Sequence, residues 1–304
     1  MSSLIEQAAQ RLEQLRQAGV EIPEIEVAPA PVARAQPAAA VAPVPEVPAP
    51  TSRQVILNLQ SIAASGIVTP SAPRSHLADQ FRVIKRPLIS NAVGKGAAPL
   101  AHGNLIMVTS ALAGEGKSFT SVNLAMSIAA ELDHTVMLVD ADVARPSVLR
   151  MLGLPPGPGL LDLLEGKAEM ADVLLRTNVD TLTILPSGTP HPKATELLAS
   201  DAMTNLLEDM ATRYPERIII FDSPPLLLTT ESRVLASHMG QIVVVVHAGK
   251  TVQADVQQAL STIDSCPVRM LVLNKARERE GAYGYGHGYG YGYGYGYGSD
   301  QREG

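Results

Sequence analysis

The stretch Leu105-Ile-Met-Val-Thr-Ser-Ala-Leu-Ala-Gly114-Glu-Gly-Lys117-Ser118 runs from an apolar strand through a loop of small residues into a helix. That order suits a phosphate ligand. Several backbone N–H groups must turn inward, which bulky side chains would obstruct, and the positive end of a helix dipole must follow. The contact segment is Ala113, Gly114, Glu115, Gly116, Lys117, Ser118 and Phe119. Lys117 is expected to reach the β- and γ-phosphates of a nucleoside triphosphate, and the Ser118 hydroxyl to ligate Mg²⁺. The usual pattern opens on glycine, whereas Ala111 stands here.

Two further strands end in acid. Val136-Met-Leu-Val-Asp140-Ala-Asp142 and Ile218-Ile-Ile-Phe-Asp222-Ser-Pro-Pro225 are both apolar up to their carboxylates. In an open parallel sheet, ligands sit beyond the carboxyl ends of the strands. Asp140, Asp142 and Asp222 are therefore expected beside the phosphate loop. Such carboxylates can hold the water shell of Mg²⁺ or accept a proton from a nucleophile. Taken singly, each has the lesser alternative of capping a helix or a turn.

The elements that must position these groups alternate. Strand-like runs at Leu105–Thr109, Val136–Asp140, Thr181–Leu185, Arg217–Asp222, Gln241–His247 and Val268–Leu273 are interleaved with helical stretches near Lys117–Leu132, Lys193–Arg213, Thr230–His238 and Val252–Ile263. Strands that are apolar throughout are buried on both faces, as in a parallel sheet covered by helices. The expected fold is a doubly wound, mostly parallel α/β domain over residues 51–282. Within it, Gln54–Leu59 reads as a short strand, and a helix around Leu77–Ile89 is interrupted or ended by Pro87.

The flanks differ from this core. Residues 1–22 are expected to form a short amphipathic helix, with capping-box spacing at Ser3 and Glu6 and a stop at Gly19. Residues 23–50 contain eight prolines and nine alanines and read as an extended spacer. Residues 283–298 carry seven tyrosines, eight glycines and His287, while the rest of the chain has four aromatics. Alternating glycine cannot build a core, so 283–304 is expected to be a disordered tail. The net charge of −6 supplies no broad basic field for nucleic acid. The longest apolar runs fall far short of the about 20 residues a membrane-spanning helix needs. Cys266 is the single cysteine, so no intramolecular disulfide can form, in keeping with a reducing cytoplasm.

Together these residues resemble the bacterial tyrosine kinases that regulate exopolysaccharide synthesis. The resemblance covers roughly residues 74–298. It rests on the phosphate loop, Asp140-Ala-Asp142, Asp222-Ser-Pro-Pro, Leu185-Pro-Ser-Gly-Thr-Pro with Glu196-Leu-Leu, and the tyrosine cluster. The Ala-Asp-Val-Ala-Arg-Pro wording after Asp140 looks most like the autokinases found beside exosortase-linked loci. The implied fold is a P-loop NTPase of the deviant Walker A, partition-ATPase-like type. The implied cofactors are ATP and Mg²⁺, with Asp140, Asp222 and Ser118 at the metal and Asp142 as base for a tyrosine hydroxyl. Asn274 falls where the family places an adenine contact. Tyr283, Tyr285, Tyr289, Tyr291, Tyr293, Tyr295 and Tyr297 are the implied acceptors. Family rings form through a Glu-x-x-Arg-x-x-Arg helix, matched here by Asp79-x-x-Arg82-x-x-Lys85; lysine cannot copy arginine's planar fork. Relatives carry arginine at the position of Ala144, whereas here the basic residue is Arg145, which either reaches the phosphates or caps a turn. The implied partners are other copies of the chain and a separate inner-membrane chain-length regulator. The implied location is cytoplasmic, peripheral to the inner membrane through that regulator.

Two other readings use the same residues. Partition or septum-positioning ATPases share the fold, but resemble this chain less: they carry an extra lysine early in the loop, where Leu112 stands. A nucleotide-gated adaptor with a sticky Gly-Tyr tail is the second. Replacing the tail tyrosines with phenylalanine separates it from a kinase, because stickiness largely survives loss of the hydroxyls and phosphorylation does not.

Overall fold

A computed structural model describes residues 52–70, 74–213 and 216–276. The helix expected over 1–22, the spacer over 23–50 and the tyrosine tail over 283–304 lie outside the described residues. The strands are β1 (Leu105–Ser110), β2 (Thr135–Asp140), β3 (Leu175–Arg176), β4 (Leu182–Leu185), β5 (Arg217–Asp222), β6 (Gln241–His247) and β7 (Val268–Asn274). They form one sheet in the order β3-β4-β2-β5-β1-β6-β7. All pairings are parallel except that of β3 with β4.

The period of two along each strand builds two cores, one on each face of the sheet. Leu105, Met107, Met137, Val139, Ile219, Phe221, Ile242 and Val244 face one layer. Ile106, Val108, Val136, Leu138, Ile218, Ile220, Val243 and Val245 face the other. The first layer is closed by Met203, Leu207 and Met210 of one helix (Asp201–Arg213), by Leu235 of another (Glu231–Ala236) and by Ala259 of a third (Gln253–Ser261). The second is closed by Ile62 of α1 (Leu59–Ala64), Phe81 and Leu88 of α2 (His76–Ala92), and Val122, Leu124 and Ile128 of α3 (Lys117–Ala129). Residues Thr120–Ala129 of α3 are buried without a break to Ile128 and beyond, which explains a helix of small and apolar residues with little amphipathic character.

Several local expectations are corrected. Gln54–Leu59 is not a strand: Gln54 makes one parallel bridge to Arg176, and Asn58 then caps α1 by accepting from Ser61 N–H. Pro87 does not end its helix, which continues to Ala92. The carbonyl deprived of a partner belongs to Val83, which is 73% exposed, so water can satisfy it. The single helix expected over Lys193–Arg213 is two, Ala194–Leu198 and Asp201–Arg213. Ser200 divides them, its hydroxyl donating to Leu197 C=O and accepting from Met203 N–H. The antiparallel β3 has two residues, too few for a periodic signal.

Candidate functional site

The site forms where β1, β2 and β5 end side by side. Asp140 lies opposite Asp222 in the β2–β5 register, and Val108 opposite Asp222 in the β1–β5 register. Beyond β5, Pro224 and Pro225 offer no N–H to continue a ladder. The segment is tied to β1 instead: Thr109 Oγ1 donates to Pro224 C=O at 2.8 Å and Leu226 N–H to Ser110 C=O at 2.8 Å.

The phosphate loop turns on Gly114 and Gly116, with φ of +82° and +101°. Side chains rarely adopt that region. Gly116 is also the N-cap of α3 and supplies no side-chain acceptor, so the first N–H groups of the helix stay available to an anion. Lys117 opens the helix. Its Nζ lies 2.5 Å from Asp142 Oδ2 and 3.5 Å from Ser118 Oγ.

The three carboxylates have different surroundings. Asp222 is fully buried and accepts from Ser121 Oγ at 3.1 Å through one oxygen. Burial pushes its carboxyl above the ordinary range, a shift opposed by the nearby Lys117 ammonium. Asp140 accepts from Ser147 N–H and Val148 N–H, both at 3.0 Å, through Oδ2. Its pKa is pushed up to about 7, by burial first and by the Asp222 charge second. Asp142, 4% exposed, accepts from Arg145 N–H at 3.1 Å and pairs with Lys117. Asp140 Oδ1 and Asp222 Oδ2 are buried without a hydrogen-bond partner. Two orphaned carboxylate oxygens near a serine hydroxyl form an all-oxygen donor set. Such a set fits Mg²⁺, which keeps several waters and takes its other ligands from phosphate. No group of three His, Cys, Asp or Glu arranged to hold a metal ion occurs among the described residues, so a metal caged entirely by such side chains is not what the site offers.

The other expected residues are placed as follows. Glu115 contributes more than backbone. Its carboxylate, 3% exposed with its residue, accepts from Leu112 N–H at 2.7 Å, from His247 N–H at 3.4 Å and from the Thr251 hydroxyl. Nothing in the sequence marked this strut, because an acidic residue between two glycines reads as loop. Asn274 does reach the loop, but its Nδ2 donates to Glu115 C=O at 2.9 Å. Phe119 and Asn274 both line a cavity of 520 Å³ bounded by α2 and β7. Another cavity, of 400 Å³, opens around Met137, Met210 and Arg217, away from the loop. Ala113 stays within the loop beside Gly114. Arg145 closes the turn begun by Asp142 through its N–H, and its side chain is exposed.

The helix stretch expected at an oligomer interface divides. Asp79 and Arg82 are exposed and ion-paired with each other along one face of α2. Lys85 is 5% exposed and turned inward. Its Nζ donates to Ser127 C=O at 2.5 Å and meets Glu131 Oε1 at 2.6 Å. A long lysine stem buried against α3, with its ammonium at the helix's last carbonyls, explains why this position does not present a charge outward.

Comparison with known proteins accords with this geometry. The ParA family, described as NUBPL iron-transfer P-loop NTPase, matches residues 102–275. Tyrosine-protein kinase YwqD of Bacillus subtilis is 30% identical over 214 residues, covering 70% of this chain and 86% of that protein. Tyrosine-protein kinase ptk of Acinetobacter johnsonii is 32% identical over 185 residues, covering 60% of this chain but 25% of its own length. Among solved structures, the VpsO kinase domain is 28% identical with a TM-score of 0.52, covering 67% of this chain and 100% of that one.

Proposed function

Since the chain belongs to the bacterial tyrosine-protein kinases, on a ParA-type P-loop NTPase fold, we propose that it transfers the γ-phosphoryl group of ATP to tyrosines of its own tail. The observation that carries this reading is the convergence of Lys117, Asp140, Asp142 and Asp222 on one loop whose fold-mates carry tyrosine kinase names. Ser118 and the orphaned oxygens of Asp140 and Asp222 would hold Mg²⁺, which when bound offsets charge on the transferring phosphoryl group. The loop N–H groups and Lys117 hold the β- and γ-phosphates. Asp142 accepts the proton of the incoming tyrosine hydroxyl; the new O–P bond forms as the γ-phosphorus separates from the β,γ-bridging oxygen, and ADP leaves. Lys117 is paired with Asp142 and so stands between the base and the phosphates it would hold.

The acceptors are Tyr283, Tyr285, Tyr289, Tyr291, Tyr293, Tyr295 and Tyr297, each offered by a neighbouring copy in a ring-like oligomer. Exposed Asp79 and Arg82 belong to the ring contact. Asn274 and Phe119 border the adenine end of the nucleotide. The kinase domain spans 51–282, between a spacer and the tail. Among the described residues no helix is long and apolar enough to cross a membrane. A separate inner-membrane chain-length regulator would bring this cytoplasmic chain to the membrane, where phosphorylation regulates exopolysaccharide synthesis and export.

The test is incubation of purified protein with ATP and Mg²⁺ beside a Lys117→Met control, with phosphate mapped by intact mass and peptide fragmentation. A ladder of additions on residues 283–297, absent from the control, supports the reading. ATP hydrolysis without phosphotyrosine, even with the regulator's cytoplasmic segment added, sinks it in favour of a non-kinase ATPase.

A further inference from the structure

We propose that Asn274 and Lys275, at the end of β7, are positioning residues that aim the N–H groups of the phosphate loop at the ligand; this rests on reading the loop as a triphosphate cradle. Lys275 Nζ donates to Gly114 C=O at 2.8 Å, and Asn274 Nδ2 donates to Glu115 C=O at 2.9 Å. In a planar trans peptide, a carbonyl and the N–H of the following residue point in opposite directions. Holding these two carbonyls from outside therefore turns the N–H groups of Glu115 and Gly116 the other way, into the concavity where an anion is held.

Further observations show that the brace is built. Lys275 adopts φ +58°, a left-handed conformation uncommon for a residue with a side chain. Its N–H is held by Asn274 Oδ1 at 2.8 Å, so one amide fixes both the loop and the turn that sends Lys275 back to it. A Cβ at position 116 would lie 2.1 Å from Asn274 Nδ2, so glycine there admits Asn274 as well as meeting the demand for φ +101°. Finally, the end of β7 is itself anchored: Asn274 pairs with His247 in the β6 register, and its carbonyl accepts from Ala248 N–H at 2.9 Å. The same β6 end grips Glu115 through His247 and Thr251. The loop is thus held from behind by both strand ends.

The role predicted for Asn274 differs from reading the adenine ring. Loss of a base contact lowers affinity for ATP and spares a ligand without a base. Loss of a loop brace lowers affinity for both. The experiment measures, by calorimetric titration with Mg²⁺, the affinities of the full chain for ATP and for inorganic tripolyphosphate. Asn274→Ala removes no charge and is expected to weaken both ligands by about the same factor, on the order of tenfold for one lost bond of this kind. Lys275→Met is expected to do likewise, and Lys275→Arg, which keeps a donor, to recover most of the loss. Melting temperatures of all variants, with no ligand added, serve as the fold control. Asn274→Ala that weakens ATP alone overturns the proposal, as do variants that bind both ligands like the parent chain. Failure of the parent chain to bind either ligand overturns the cradle reading itself.

Discussion

Asp140 and Asp142 lie two residues apart, yet their environments separate them: Asp142 faces an ammonium, while Asp140 is buried beside another carboxylate. The raised pKa of Asp140, about 7 against 3.8 for the ordinary group, makes a stability prediction with a definite sign. Between these values the folded chain holds a proton that the unfolded chain has released, so stability falls as pH rises from about 4 to about 7. Above and below that window the group contributes no slope. Asp140→Asn cannot ionise, and its amide can still accept from Ser147 and Val148 through oxygen. The variant is expected to be more stable than the parent chain at pH 8 in the presence of EDTA, and to flatten the slope between pH 4 and 7. Denaturant melts across that range check it; identical slopes for the two proteins would contradict the assignment. Asp142→Asn tests the proton acceptor. Phosphotyrosine formation should drop by roughly 10²–10⁴-fold, the usual worth of a positioned base, with ATP affinity changed little. An equal loss in affinity and turnover would instead make Asp142 a binding residue. The acidic strand ends and Lys117 were legible in the sequence because an apolar run followed by a charge fixes where a side chain emerges. The side-chain roles of Glu115 and Lys275 were not, since their partners, Thr251 and Gly114, lie 136 and 161 positions away.

At the scale of elements, α2 and α3 meet through Lys85. This pair is lopsided: the side chain of Lys85 is 6% exposed and that of Glu131 is 44% exposed. Hydrogen bonding to Lys85 is the main cause that lowers the Glu131 pKa. Removing the exposed partner leaves an ammonium buried with one carbonyl, whereas replacing the buried one with methionine leaves only a solvated carboxylate. Glu131→Ala should therefore destabilise the chain more than Lys85→Met, for which about 1–2 kcal/mol is expected from the lost bond to Ser127 C=O. The reverse order, read from denaturant midpoints, would mean that the ammonium's bond to Ser127 C=O matters more than its pairing with Glu131. The element pattern also shows what sequence periodicity can carry. Long apolar strands such as β5 and β6 were readable because burial on both faces leaves no polar position to obscure them. The two-residue β3 and the break at Ser200 were not, because a partner strand and a single hydroxyl decide them. Pro87 misled for a related reason: whether proline ends a helix depends on which side its orphaned carbonyl faces, and that is a tertiary fact.

At the scale of the whole molecule, charge links the proposed reaction to the proposed ring. The chain starts at −6. Phosphate on every tail tyrosine adds about −10 to −14 more, at −1.5 to −2 each. All of that charge enters a short segment repeated in each copy of a ring, so self-repulsion should favour smaller species. Repulsion of this origin acts through solvent and is screened: the Debye length falls from about 10 Å at 0.1 M salt to about 3 Å at 1 M. Sedimentation velocity of fully phosphorylated chain should therefore show dissociation at low salt and recovery of larger species towards 1 M, while phosphatase-treated chain changes much less. A specific contact broken by phosphate, with no electrostatic origin, predicts dissociation that salt does not reverse. Equal distributions for phosphorylated and phosphatase-treated chain at low salt would remove the link altogether, and the tail would then be a substrate without influence on assembly.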